Sequence, residues 1–197
     1  MIATSFGSVQ NRITDHLLTP IRHHLTAMIE PGTTVLEAGC RSGDLLFRAA
    51  PKIHRGLGLD LNPAMIREAH RRRASCALRH VDFVHQDPAE MRAHLTPRFD
   101  FAAVTLCLHS MAYDQAVESL QRMFQVADRL VVAELDQPQT RRATWRMEID
   151  EWTAGHYSQF RTFRRKGWFP AMVETAGLHI LRSHKTEVDG IRIFEIV

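Results

Sequence analysis

Four runs of the 197-residue chain each lead into a residue that could do chemistry. Thr34-Val35-Leu36 stops at Glu37 and opens into Ala38-Gly39-Cys40-Arg41-Ser42-Gly43. His54 to Asp60 ends in an acid, His80 to Gln86 runs into Asp87-Pro88, and the run from Phe99 reaches His109. Carboxylates in such places can accept from sugar hydroxyls or amines in charge-assisted hydrogen bonds. Gly39 and Gly43 permit a tight backbone path and close approach of a ligand. An imidazole such as that of His109 can exchange a proton near neutrality, which makes it a candidate base or acceptor-orienting group. A strand, an acid, a glycine turn and a helix N-terminus together make a ligand cradle at the carboxyl edge of a sheet. Metal chemistry is not expected. Cys40, Cys76 and Cys107 are scattered without a C-x-x-C or a Cys/His ligand pairing, which also argues against a disulfide framework and fits a reducing cytoplasm.

The elements that must position these residues follow from periodicity. Residues 8–29 carry Val9, Ile13, Leu17, Leu18, Ile21, Leu25 and Met28 at helical spacing, with Pro20 placed to kink or split the helix. Short β-forming runs over 34–36, 54–60, 80–86, 99–109 and 130–135 alternate with helical stretches at 44–50, 63–73 and 113–126. Asn62-Pro63 suits a helix start. A further helix over 170–176 closes at Gly177, and 178–181 and 191–197 form two last strands joined through Asp189-Gly190. Strands alternating with helices predict an α/β, doubly wound sheet. The length suits a single domain over 1–197, with ordinary hydrophobic and charged fractions of 45% and 24%. No run approaches a membrane span, and the N-terminus has neither a charged leader nor an apolar signal core.

The glycine spacing discriminates between ligands. A dinucleotide fingerprint G-x-G-x-x-G counted from Gly39 meets Arg41 and Asp44 where glycines are needed, and no Gly-Lys-Ser/Thr follows, which excludes a P-loop. What stands is E-x-G-x-x-x-G. This resembles motif I of the class I S-adenosylmethionine (SAM) methyltransferases, D/E-x-G-x-G-x-G, with Arg41 in place of the middle glycine. Asp60-x-Asn62-Pro63-x-Met65 resembles the stretch after it, Asp87-Pro88-Ala89 falls at the motif II position, and Phe99-Asp100 with Leu106-x-Leu108-His109 resembles motif IV. The resemblance implies a seven-stranded, mostly parallel sheet of order 3-2-1-4-5-7-6 with strand 7 antiparallel. It also implies SAM as cofactor, S-adenosylhomocysteine as product and methyl transfer as activity. On that reading Glu37, Gly39, Cys40 and Gly43 surround the methionine moiety, and Asp60 and Leu61 meet the ribose. Asp87, Pro88 and the amide that follows face adenine, while Leu106 and His109 line the methyl-transfer end.

Each residue has a plainer reading beside this one. Asp60 and Asp87 are also good caps for the helices that follow them, Pro88 suits a first helical position, and His109 could serve as a pocket wall. The segment 139–166 is the least generic. Trp145, Ile149, Trp152 and His156 share one helix face and Tyr157 follows, interleaved with arginines; seven Arg/Lys stand against three Asp/Glu between 139 and 168. Such a lid suits a planar or anionic small-molecule acceptor. The same face could instead pack on the core or on a second copy in a homodimer. The two basic segments, 63–81 and 139–168, leave a non-catalytic SAM-binding or RNA-binding module as the alternative, although the Arg71-Arg72-Arg73 run reads more simply as a solvated helix face; an NAD-dependent oxidoreductase is disfavoured by the glycine spacing.

Overall fold

The computed structural model describes residues 18–91 and 97–197. Helix α1 (18–28) is followed by β1 (Thr34–Ala38), α2 (Asp44–Ala49), β2 (Arg55–Asp60), α3 (Pro63–Ser75), β3 (Val81–His85), β4 (Phe99–Thr105), α4 (Tyr113–Gln125) and β5 (Ala127–Leu135). Then come α5 (Arg141–Ala154), α6 (Tyr157–Arg165), α7 (Trp168–Thr175), β6 (Ile180–Lys185) and β7 (Ile191–Ile196), with single 3-10 turns at Pro88–Glu90 and Leu108–Ser110.

The strands form one sheet of order β3-β2-β1-β4-β5-β7-β6. β1 pairs in parallel with β2 and β4, β2 with β3 and β4 with β5, whereas β7 is antiparallel to both β5 and β6. The strand order therefore reverses between β1 and β4, and the crevice at the carboxyl ends of those two strands is the topological switch point where α/β sheets bind ligands.

Alternation along the strands builds two cores. Leu36, Val104, Val132 and Phe194 point to one face, under α4, α6 and α7. Their neighbours Val35, Ala103, Val131 and Ile193 point to the other, under α1 and α2. Both faces are covered, which is why the strands read as unbroken apolar runs. The local stops are chemical. Asn62 accepts from the Ala64 amide (2.9 Å) with Pro63 at the first helical position of α3. Thr140 Oγ1 accepts from the Ala143 amide (3.2 Å) at the start of α5, and Gly155 ends that helix at φ +83°.

Several expected boundaries move. α1 is continuous from 18 to 28 through Pro20; the expected residues 8–17 lie outside the described residues. β4 stops at Thr105 rather than reaching His109, because Leu106 turns the chain at φ +46°. β5 begins at Ala127, paired with Phe99, rather than at Leu130. β6 lies at 180–185 rather than 178–181. It is an edge strand whose Arg182, Ser183 and Lys185 are exposed, and it lacks the apolar alternation that would mark it in the sequence.

Candidate functional site

The carboxyl edge brings together the ends of β1, β2, β3 and β4. Glu37 is 2% exposed on β1, where Thr105 Oγ1 of β4 donates to its Oε1 (3.3 Å) and its Oε2 has no partner. Burial pushes its carboxyl up from 4.5 to about 8, against the pull of Arg22 and of the Thr105 hydroxyl. Below the turn, Gly39 adopts φ +73°, and a Cβ there would come within 2.8 Å of Cys107 Cβ and the Thr105 carbonyl. Arg41, where the resembling motif has its middle glycine, takes a left-handed φ of +51° and so follows the path a glycine would. Cys40 is buried behind the turn, and Gly43 (φ +84°) opens α2, where a Cβ would come within 2.5 Å of the Phe83 ring.

Asp60, at the end of β2, holds this loop from the side. Its Oδ2 accepts from the Arg41 amide and its Oδ1 from the Asn62 amide, both at 2.8 Å. The capping reading and a ligand role coexist, since each carboxylate oxygen keeps a further lone pair. Leu61 beside it is 47% exposed. Asp87 is buried and occupied by the chain's own donors: the Ala89 amide (2.9 Å) and Ser119 Oγ (3.4 Å) on Oδ1, and Gln115 Nε2 on Oδ2. It is the cap of the Pro88–Glu90 turn. The amide expected to donate after it does not exist, because Pro88 has no N–H and the next one, of Ala89, is spent on the cap.

His109 sits just past β4, 6% exposed, with both ring nitrogens facing carboxylates. Nδ1 lies 2.5 Å from Glu134 Oε1 on β5, and Nε2 lies 3.3 Å from Glu151 Oε1 on α5. Glu134 is fully buried and also accepts from the amides of Leu108 (2.9 Å) and Leu135 (2.7 Å). Burial alone would depress the imidazole, but Glu134 and then Glu151 outweigh it and raise its pKa to about 10, so the ring is a cation held between two acids. Glu151 Oε2 is buried without a partner.

The insertion divides the remaining expected residues. α5 turns Ala143, Met147 and Glu151 inward, and Trp145 and Trp152 stand 71% and 70% exposed on its other side. They and exposed His156 are not brought to the strand ends. Half-buried Tyr157 donates to Glu148 Oε2 (2.5 Å), and Arg164 pairs with the same carboxylate, which ties α5 to α6. Sequence reasoning missed Glu134, Glu151 and Arg22, a buried arginine of α1 that reaches Asp44 at 3.5 Å beside the glycine turn. The available signal was a carboxylate inside the apolar run Leu130 to Leu135, since a buried charge needs a partner. Among the described residues no group of three or more His, Cys, Asp or Glu is arranged to hold a metal ion, and no helix is long and apolar enough to cross a membrane.

Comparison with known proteins gives this geometry a context. The profile of a methyltransferase domain family matches residues 35–129. Aklanonic acid methyltransferase DauC of Streptomyces sp. (strain C5) is 32% identical over 130 residues, covering 62% of this chain and 56% of its own. The chain thus spans little more than half the length of this curated relative. Among solved structures, mitomycin 7-O-methyltransferase MmcR superposes with a TM-score of 0.66 at 21% identity, over 84% of this chain and 48% of that one. Magnesium protoporphyrin IX methyltransferase ChlM from Synechocystis PCC 6803, with bound S-adenosylhomocysteine, gives 0.61 at 22% identity over 96% and 83%. At these identities the structural likeness is one of fold.

Proposed function

Because the chain belongs to the class I SAM-dependent methyltransferases, we propose that it moves a methyl group from SAM to a small-molecule acceptor. The observation that carries this reading is Glu37, a buried carboxyl with an orphaned oxygen at the switch point, under a glycine turn held by Asp60. Burial keeps this carboxyl neutral in the free protein with that oxygen unpartnered, and a cofactor with an ammonium group supplies it a donor as the carboxyl gives up its proton. When bound, SAM brings a sulfonium whose methyl group already has an activated leaving group.

The chain's own task is then to bind and to align. Glu37, with Gly39, Cys40 and Gly43, forms the floor and turn for the methionine moiety. Asp60 offers its remaining lone pairs to the ribose hydroxyls next to Leu61. The rim carrying Asp87 and Pro88 packs the adenine side, with Asp87 acting through the turn it caps. Leu106 to His109 wall the acceptor side. Holding donor and acceptor in line can supply roughly 7–11 kcal/mol of a transfer barrier in favourable systems. His109, charged while Glu134 and Glu151 hold both its ring nitrogens, fixes the wall from Leu106 to His109 rather than bonding the acceptor. It becomes a base only where Glu151 withdraws from Nε2 and the ring loses its proton. Tyr157 joins the acceptor wall through α6, whose Phe160 and Phe163 pack with Leu108 in one core.

The relatives whose names give a substrate act on aklanonic acid, mitomycin and magnesium protoporphyrin IX, all small molecules, and we assign this chain an acceptor of that class. An RNA-binding role is less favoured. In the basic run Arg71 pairs with Glu68, Arg72 with Asp44 and Arg73 with Asp82, so the arginines serve the fold. Calorimetric titration with SAM, S-adenosylhomocysteine and NAD tests the reading. Micromolar binding of both adenosyl ligands is expected; binding of NAD alone, or of none, overturns it.

A further inference from the structure

The 3-10 turn at the exit of β3 spends every donor it has on itself. Pro88 has no N–H. The Ala89 amide donates to Asp87 Oδ1 (2.9 Å), the Glu90 amide to the Asp87 carbonyl (3.0 Å) and the Met91 amide to the Pro88 carbonyl (3.1 Å). Asp87 is held from the other side by α4, on which Gln115 and Ser119 stand one helical turn apart and donate to Oδ2 and Oδ1. Oδ1 therefore accepts two hydrogen bonds and Oδ2 one. What the backbone and carboxylate of this rim keep for a ligand is acceptors alone, the last lone pair of Oδ2 and those of the two carbonyls.

Adenine presents a donor, its exocyclic amine, beside an acceptor, ring N1. An acceptor-only rim can take an N–H of the amine and has nothing to give N1. We propose that Pro88 leaves ring N1 of the cofactor's adenine unread, so that this chain recognises the base without it. The inference rests on the SAM reading above, which sets the adenine against this rim.

Residue 88 is the one position of the turn from which a donor could be spared. It is the first residue after the Asp87 cap, and an N–H there has no partner within a helical turn. The later amides are used by the cap and by the turn's own hydrogen bonds. Proline suits this place because its fixed φ fits a first helical position, so one residue both favours the turn and removes the donor. The rim is not sealed either. Glu90 is exposed, as is Leu61 at the exit of the neighbouring β2, and water at this edge can serve N1 in place of the protein.

Calorimetric titration of the full chain with S-adenosylhomocysteine and with its 1-deaza analogue, in which C–H replaces ring N1, tests the proposal. Circular-dichroism melting establishes that each variant is folded. The wild type should bind the two ligands within about twofold, since no protein hydrogen bond is lost. Pro88→Ala restores an N–H and should prefer S-adenosylhomocysteine by roughly three- to tenfold, the worth of one hydrogen bond. Pro88→Ser supplies the same N–H and should behave alike. A wild type that already prefers S-adenosylhomocysteine as strongly as this overturns the proposal and puts the donor on a side chain such as Gln86. Folded variants that gain no preference overturn it as well. A wild type that binds neither ligand removes the SAM reading itself, and the proposal with it.

Discussion

Replacing Glu37 with glutamine should change how stability depends on pH more than it changes stability itself. The native carboxyl titrates near 8 because burial disfavours the anion, while an unfolded chain releases that proton near 4.5. Below 4.5 both states hold the proton and folding is not penalised. Between 4.5 and 8 the unfolded chain ionises and the folded chain does not, so stability falls as pH rises through this window. At 1.36 kcal/mol per pH unit the full effect is roughly 5 kcal/mol. Glutamine is neutral in both states and cannot contribute it. Its amide N–H groups add an offset of about 1–3 kcal/mol if left unpaired, but that offset is the same at every pH. The quantity to read is therefore the difference between the urea-unfolding free energies of variant and wild type, measured from pH 5 to 8.5. It should move steadily in favour of Glu37→Gln. Parallel pH profiles would refute the raised pKa and, with it, the view of Glu37 as a carboxyl waiting for a cation. A second measurement reaches the site directly. An ammonium placed against Glu37 stabilises its anion, so SAM binding near pH 6.5 should release close to one more proton from the wild type than from the variant. Calorimetry in buffers of different ionisation enthalpy counts those protons; equal release from both proteins would remove the proposed contact.

Three further outcomes are expected. Asp60→Ala should lose at least tenfold in SAM affinity by calorimetry, since it removes a ribose acceptor and frees the Arg41 amide it holds at 2.8 Å; unchanged affinity would end the ribose role. Gly39→Ala should cost ~1–2 kcal/mol for a side chain at φ +73° and ~1–3 kcal/mol more for the collision with Cys107 and Thr105, read as a lowered urea midpoint. His109→Ala strands Glu134 and Glu151 and should cost about 3–5 kcal/mol near neutrality. Since the native imidazole pKa is raised from 6.5 to about 10, the wild type's advantage over this variant should be complete below pH 6.5 and fade as pH climbs to 10. An advantage that grows with alkalinity would show that the ring is buried neutral.

Much of the fold was legible because its strands obey a rule that sequence displays. A strand buried on both faces must be apolar at every position, and Val35-Leu36, Ala102-Ala103-Val104 and Val131-Val132 alternate between two cores without a polar break. Glu37, Asp60 and Asp87 were legible for the complementary reason: an acid at the end of such a run stands at the carboxyl edge, where the chain leaves the sheet. Arg41 shows how far that logic reaches. The sequence lacks the middle glycine, yet the backbone takes the left-handed path there, stabilised by the Asp60 bond to its amide. The spacing of the motif and its acid neighbour therefore carried more information than the missing residue.

The insertion was illegible for a reason of the same kind. Periodicity ranks helix faces by apolarity, and on α5 the most apolar stripe is Trp145, Ile149 and Trp152. The inward stripe is Ala143, Met147 and Glu151, poorer by that measure because one of its members is a carboxylate that serves His109. A buried acid makes an inner face look polar, and exposed indoles make an outer face look like core; both inversions occur on one helix. Tertiary partners decide the matter, since Glu151 is tolerated inside only because a cationic ring from the end of β4 meets it. The residue that misleads the periodicity is thus the one that joins the insertion to the site.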